Sequence, residues 1–181
     1  FYDYLIESGV KEEQIISIAL DDDTFIKYRD PEELSKFIRA KIASKDMYYI
    51  LIDEVQYAIA KEELKNPDSI RLYNVLNGLM RLRNVDIYVT GSNSKMLTKD
   101  VLTVFRGRGD EVRVYPISFK EYYAAIGGDK IDAYEEYALY GGMPLVLSRK
   151  TDNDKMAYLQ SLFTEVYFKD ITERYDIALP D

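Results

Sequence analysis

The apolar positions of this chain fall into two alternating kinds of pattern. Gln14 to Leu20 and Met47 to Ile52 are nearly unbroken apolar or aromatic runs, and Val85 to Val89 is a third short block. Runs of this length, rich in β-branched residues, predict strands, and an unbroken run suits a strand buried on both faces. Between them the spacing becomes helical. Leu34, Phe37, Ile38 and Ile42 mark one face of a helix that opens on Asp30-Pro31-Glu32-Glu33 and ends near Lys45. A cap, a first-turn proline and two acids at the positive end of the dipole all favour that start. Leu72, Val75, Leu76, Leu79 and Met80 define a second amphipathic helix, closed by Asn84. Phe1 to Ser8 reads as the tail of a helix stopped by Gly9, and 57–68 as a short helix and an exposed loop.

Strands alternating with helices predict a parallel sheet with right-handed crossovers. Further on, Thr90 to Ser94 reads as a polar turn, Lys95 to Phe105 as a helix, and Glu111 to Tyr115 as a last strand ending at Pro116. Beyond it the texture becomes helical, with patterns over 119–126, 131–140 and 156–170 separated by glycine pairs and polar turns. These features predict an α/β core over residues 1–117 and a helical region over 118–181.

Composition narrows the chemistry. The chain has no cysteine and no histidine, which removes disulfides, thiolate and imidazole metal sites, and Ser-His-Asp catalysis. What remains is carboxylates, Lys, Arg, hydroxyls and backbone groups. The net charge of −8 argues against this segment as a broad nucleic-acid-binding surface. No apolar run approaches the ~20 residues of a membrane helix, and nothing resembles a signal peptide. A cytoplasmic location is expected. Asp21-Asp22-Asp23 reads as a solvated turn, since it lacks the spaced oxygens and central Gly of a calcium loop. The 17 tyrosines are scattered and read as core or rim residues, not a stacking platform.

The sharpest chemical feature is Asp53-Glu54, two acids where the Met47–Ile52 strand emerges. Open α/β sheets hold ligands at that carboxyl edge. The Ser92-Asn93 turn and Arg106 or Arg108 are expected to gather on the same edge. Phosphoryl transfer needs such a set: a carboxylate for magnesium, a group to orient water, and a cation for developing charge. Each feature also has a plain reading. The acids suit a solvated strand end, Ser92-Asn93 a helix cap, the Arg-Gly stretch an exposed loop, and Gly141-Gly142-Met143-Pro144 a helix junction.

Taken in order, YYILIDEVQ, VDIYVTGSNSKM, FRGRGDEVRVYPISFKEY, YGGMP and FKDITERY resemble the AAA-type ATPases of the P-loop superfamily. The chain looks closest to a bacterial and archaeal group that carries a C-terminal nuclease-like or winged-helix region. The resemblance implies a P-loop NTPase-like parallel sheet flanked by helices, followed by a helical lid. It implies that Asp53 holds magnesium, that Glu54 polarises the attacking water, and that Ser92, or Asn93 as second choice, senses the γ-phosphate of ATP. Arg108, or Arg106, would be a finger reaching a neighbouring subunit in a homo-oligomer. Gly142 and Pro144 resemble a Gly-x-Pro turn near the nucleotide. A C-terminal domain would act on a DNA or protein client.

One departure stands out. The phosphate loop G-x-x-x-x-G-K-[ST] occurs nowhere in the chain. In the family it precedes the helix whose tail Phe1–Ser8 resembles, and its strand lies mid-sheet. The first strand and phosphate loop are therefore expected to lie outside this sequence, and this stretch alone to bind ATP poorly. An ATPase core is the leading expectation. A nucleotide-dependent interaction module without turnover, and the ATPase part of a DNA-acting protein, are its rivals.

Overall fold

The helix start at Asp30 forms as local chemistry dictates. Asp30 Oδ1 accepts from the Glu32 and Glu33 amides at 3.0 and 3.1 Å, ahead of a proline in the first turn. A computed structural model of the chain describes residues 1–63, 66, 69–91 and 109–164. Two compact units divide the chain, residues 1–111 and 112–181.

In the first unit, β1 (Ile15–Ala19), β2 (Tyr48–Asp53) and β3 (Val85–Val89) form a parallel sheet in the order β1-β2-β3. Helix α1 (Tyr2–Glu7) precedes β1, α2 (Pro31–Lys41) joins β1 to β2, and α3 (Arg71–Leu79) joins β2 to β3. The register sets Ile16, Ile50 and Ile87 side by side, and likewise Ile18, Ile52 and Val89. These rows share one core with Leu34 and Ile38 of α2 and Leu72, Leu76 and Leu79 of α3. Burial of these apolar faces is the main drive for the unit to fold.

The other face of the sheet differs from the expectation of full burial. Tyr49 and Leu51 of β2 are only half-buried, and Tyr88 of β3 is 37% exposed, with the Phe1 ring 4.5 Å from its own. The unbroken apolar run thus serves one buried face and one half-covered, aromatic-rich face. Helix α2 also stops at Lys41, short of the expected Lys45, because Ile42 turns to extended backbone. The Asp21–Asp23 turn is solvated as expected. Asp22 caps the following 3-10 turn through Thr24, and its carboxyl is held below the ordinary value by those bonds.

Glu63 ties the segment after β2 to the start of α3. Its carboxylate accepts from the Ala60 amide at 2.9 Å, the Arg71 amide at 3.2 Å and Arg71 Nε at 3.1 Å. Burial alone would raise this carboxyl, but the backbone donors and the guanidinium outweigh it and hold the pKa below 4.5. A depressed carboxylate contributes stability above its unfolded-state value and loses it as pH falls through the folded one. Thermal melts are therefore expected to hold steady from pH 7 to about 5.5 and to fall below about pH 4.5. Glu63→Gln should lower the midpoint at pH 7 and flatten that acid limb; an unchanged limb would remove Glu63 as its source.

The second unit contains α4 (Phe119–Ile126), α5 (Lys130–Tyr140) and α6 (Asp152–Ser161). Ser118 and Glu121 form a reciprocal capping box at the start of α4. Lys155 of α6 is buried, pairs with Glu136 of α5 and lies 5.1 Å from the centre of the Tyr140 ring. Burial, and then the Glu136 carboxylate, push the Tyr122 phenol up to about 12. Two expectations change here. Residues 109–118 form neither helix nor strand, and Val112 and Val114 are 81% and 91% exposed. A Val-Arg-Val alternation makes a strand only when a neighbour pairs with it, and no described strand does so. Helix α6 begins at Asp152 rather than Met156, because Thr151 caps it by accepting from the Asp154 amide at 3.1 Å.

Candidate functional site

The carboxyl ends of the three strands bring Leu20, Asp53 and Thr90 together. The Leu20 amide donates to the Asp53 carbonyl at 3.1 Å, and the Thr90 amide to the Ile52 carbonyl at 3.0 Å. Asp53 is exposed at this edge, and its Oδ1 accepts from the Thr90 hydroxyl. Among the described residues its Oδ2 accepts no hydrogen bond.

Glu54 follows in left-handed backbone, φ 55° and ψ 50°, the single non-glycine with positive φ among the described residues. That conformation costs an ordinary residue about 1–2 kcal/mol. Three contacts fix it. The Glu54 amide donates to Thr90 Oγ1 at 3.3 Å, the Val55 amide donates to the Thr90 carbonyl at 3.0 Å, and the Val55 side chain is buried. The chain turns sharply as a result, and Gln56 Nε2 donates to Glu54 Oε2. Strain of this kind, fixed by its surroundings, is typical of working sites.

A cation completes the edge. Arg29 donates from Nε to the Leu20 carbonyl at 2.7 Å and from Nη2 to the Asp21 carbonyl at 3.1 Å. Its guanidinium lies 4.7 Å from the centre of the Tyr57 ring, so it links the end of β1 to the turn after β2.

The structure thus puts Asp53 and Glu54 at one edge and adds Thr90 and Arg29, which the sequence reading passed over. The signal for Thr90 is the register: Ile52 pairs with Val89, so the next residues, Asp53 and Thr90, emerge side by side. Ser92, Asn93, Arg106 and Arg108 lie outside the described residues. Gly142 and Pro144 belong to the second unit, where they form a helix junction. Gly141 ends α5 at φ 72°, the Gly142 carbonyl accepts from the Ile117 amide at 2.8 Å, and Pro144 opens a 3-10 turn.

The donor set at Asp53 fits magnesium in one particular way. The described residues contain no group of three or more acids that could hold a metal. An exposed carboxylate beside a hydroxyl suits an ion that takes one or two protein oxygens and fills its shell with water and phosphate.

A parallel α/β sheet flanked by helices, with its polar residues at the carboxyl edge, makes this a P-loop NTPase-like fold. A family model described as AAA domain matches residues 1–123, and the chain belongs to that family. It is also 29% identical over 180 residues to an uncharacterized protein of Haemophilus influenzae, covering 96% of this chain and 42% of that protein. A second relative is the uncharacterized protein MJ1544 of Methanocaldococcus jannaschii, 24% identical over 189 residues, with 98% of this chain and 38% of the relative covered. The chain therefore spans about two-fifths of the length of these relatives. No solved structure matches. No helix among the described residues is long and apolar enough to cross a membrane.

Proposed function

We propose that this chain belongs to the ATP-binding, magnesium-dependent ATP-hydrolysing core of an AAA-type ATPase that drives an attached C-terminal domain. The observation that carries this reading is the Asp53-Glu54 pair at the carboxyl end of the middle described strand, held there by Thr90. Asp53 would hold magnesium, directly or through water, through the oxygen that Thr90 leaves open. When bound, magnesium offsets negative charge on the phosphate oxygens. Glu54, one residue on and turned by its left-handed backbone, would accept a proton from the attacking water.

The finer assignments rest on family resemblance. Ser92 or Asn93 would sense the γ-phosphate, Arg108 or Arg106 would reach a neighbouring subunit of a homo-oligomer, and Gly142 and Pro144 would approach the nucleotide. The client, DNA or protein, would be engaged by a C-terminal domain, in the cytoplasm.

Phosphate release by the full-length protein, measured with ATP and excess magnesium, tests the reading. Hydrolysis is expected to fall to the protein-free background in chelator and to return when magnesium is restored. Turnover undiminished in chelator would sink the magnesium role of Asp53.

A further inference from the structure

We propose that Thr90 is a positioning residue that sets the geometry of both acids at once. The inference rests on the ATPase reading above and deepens it. The Glu54 amide can only donate, so at 3.3 Å it takes a lone pair of Thr90 Oγ1. The Asp53 carboxylate can only accept, so the hydroxyl's one proton goes to Asp53 Oδ1. The direction of both bonds is thereby fixed. One hydroxyl holds the backbone of the water-orienting residue and the side chain of the metal-binding one.

The backbone of Thr90 makes the arrangement rigid. Its amide donates to the Ile52 carbonyl and its carbonyl accepts from the Val55 amide, both at 3.0 Å. Four hydrogen bonds therefore link one residue of β3's end to residues 52–55, and two of them depend on the side chain. Thr90 takes one lone pair of Oδ1, so Oδ2, which accepts no hydrogen bond among the described residues, is the oxygen Asp53 offers most readily to a cation. Its proton committed to Asp53, Thr90 has none for a phosphate, which separates its role from a direct phosphate contact.

Thr90→Val keeps the shape and backbone bonds but removes the hydroxyl, whereas Thr90→Ser keeps the hydroxyl. In the full-length protein Thr90→Val is expected to lower kcat about 10–100-fold, with little change in KM for ATP. A second readout needs no turnover. The magnesium concentration that half-saturates binding of a fluorescent, non-hydrolysable ATP analogue should rise about tenfold in Thr90→Val. Thr90→Ser should keep most of both properties. If Thr90→Val does not fold, Thr90→Ala, which adds no bulk, takes its place.

A lower melting temperature with unchanged kcat and magnesium dependence would overturn the proposal, leaving Thr90 a purely structural residue. Equal losses in Thr90→Ser and Thr90→Val would also overturn it, since keeping the hydroxyl would then preserve nothing. Glu54→Gln in the same assay separates this failure from that of the parent reading. If Glu54→Gln abolishes turnover and Thr90→Val does not, only the positioning role falls.

Discussion

Glu54→Gln in the full-length protein is expected to reduce ATP turnover about 10²–10⁴-fold while leaving ATP binding near the wild-type level. The substitution keeps size, backbone and amide contacts but removes the carboxylate that would take a proton from water. Loss of an interaction made only in the transition state lowers kcat and spares binding. Single-turnover hydrolysis and equilibrium binding, measured side by side, check it. If turnover is unchanged, Glu54 is not the base, and a nucleotide-dependent interaction module becomes the better account. Glu54→Gly sharpens the test. Relief of the left-handed strain at φ 55° offsets the extra freedom of the unfolded chain, so stability should stay within about 1 kcal/mol of wild type. Turnover should fall as far as in Glu54→Gln. A residue whose loss spares stability yet removes activity is there for chemistry.

Gly142→Ala should produce the largest loss of stability of any substitution discussed here, about 2–4 kcal/mol for the second unit. A Cβ at this position would lie 2.1 Å from the Ile117 carbonyl oxygen, 3.1 Å from its carbon and 3.2 Å from its amide nitrogen. All three are backbone atoms, so no side chain can swing away. The Ile117 amide also donates to the Gly142 carbonyl at 2.8 Å, and the Tyr137 hydroxyl donates to the Ile117 carbonyl at 3.0 Å. Relieving the clash therefore breaks bonds on both sides of the contact. Gly127→Ala is the control. Gly127 has φ 66° with nothing within 4 Å of its would-be Cβ, so only backbone strain opposes the change, at about 1–3 kcal/mol. Denaturant unfolding of the full-length protein, followed by a probe in the second unit, should rank Gly142→Ala below Gly127→Ala. The reverse order would mean that the 112–120 segment yields easily. The close approach explains a glycine at 142 without any ligand.

Much of this architecture was legible because it follows from local pattern. The apolar runs gave the three strands, and Asp30-Pro31-Glu32-Glu33 gave the start of α2 to the residue. The acid pair stood out because two charges ending a buried strand are chemically conspicuous. What escaped depended on pairing across the chain. Thr90 looked like one of five residues in a polar turn, and only the β2–β3 register places its hydroxyl beside Asp53. The left-handed turn at Glu54 was equally hidden, because nothing in Asp-Glu-Val-Gln favours positive φ. The Val112–Val114 alternation misled for the same reason: no strand among the described residues pairs with it, and both valines stay exposed.

The Asp53–Thr90 bond joins residues 37 apart in sequence, and it exists only after the crossover from β2 to β3 has closed. Long-range parallel pairing is slow to form, because loop entropy must be lost before any contact rewards it. A state with β1 and β2 paired but β3 undocked would hold most of the core isoleucines and none of the Thr90 contacts that fix the acid pair. Docking of β3 therefore gives the acid pair its geometry, and a chain in which β3 is undocked lacks the Thr90 contacts that fix it.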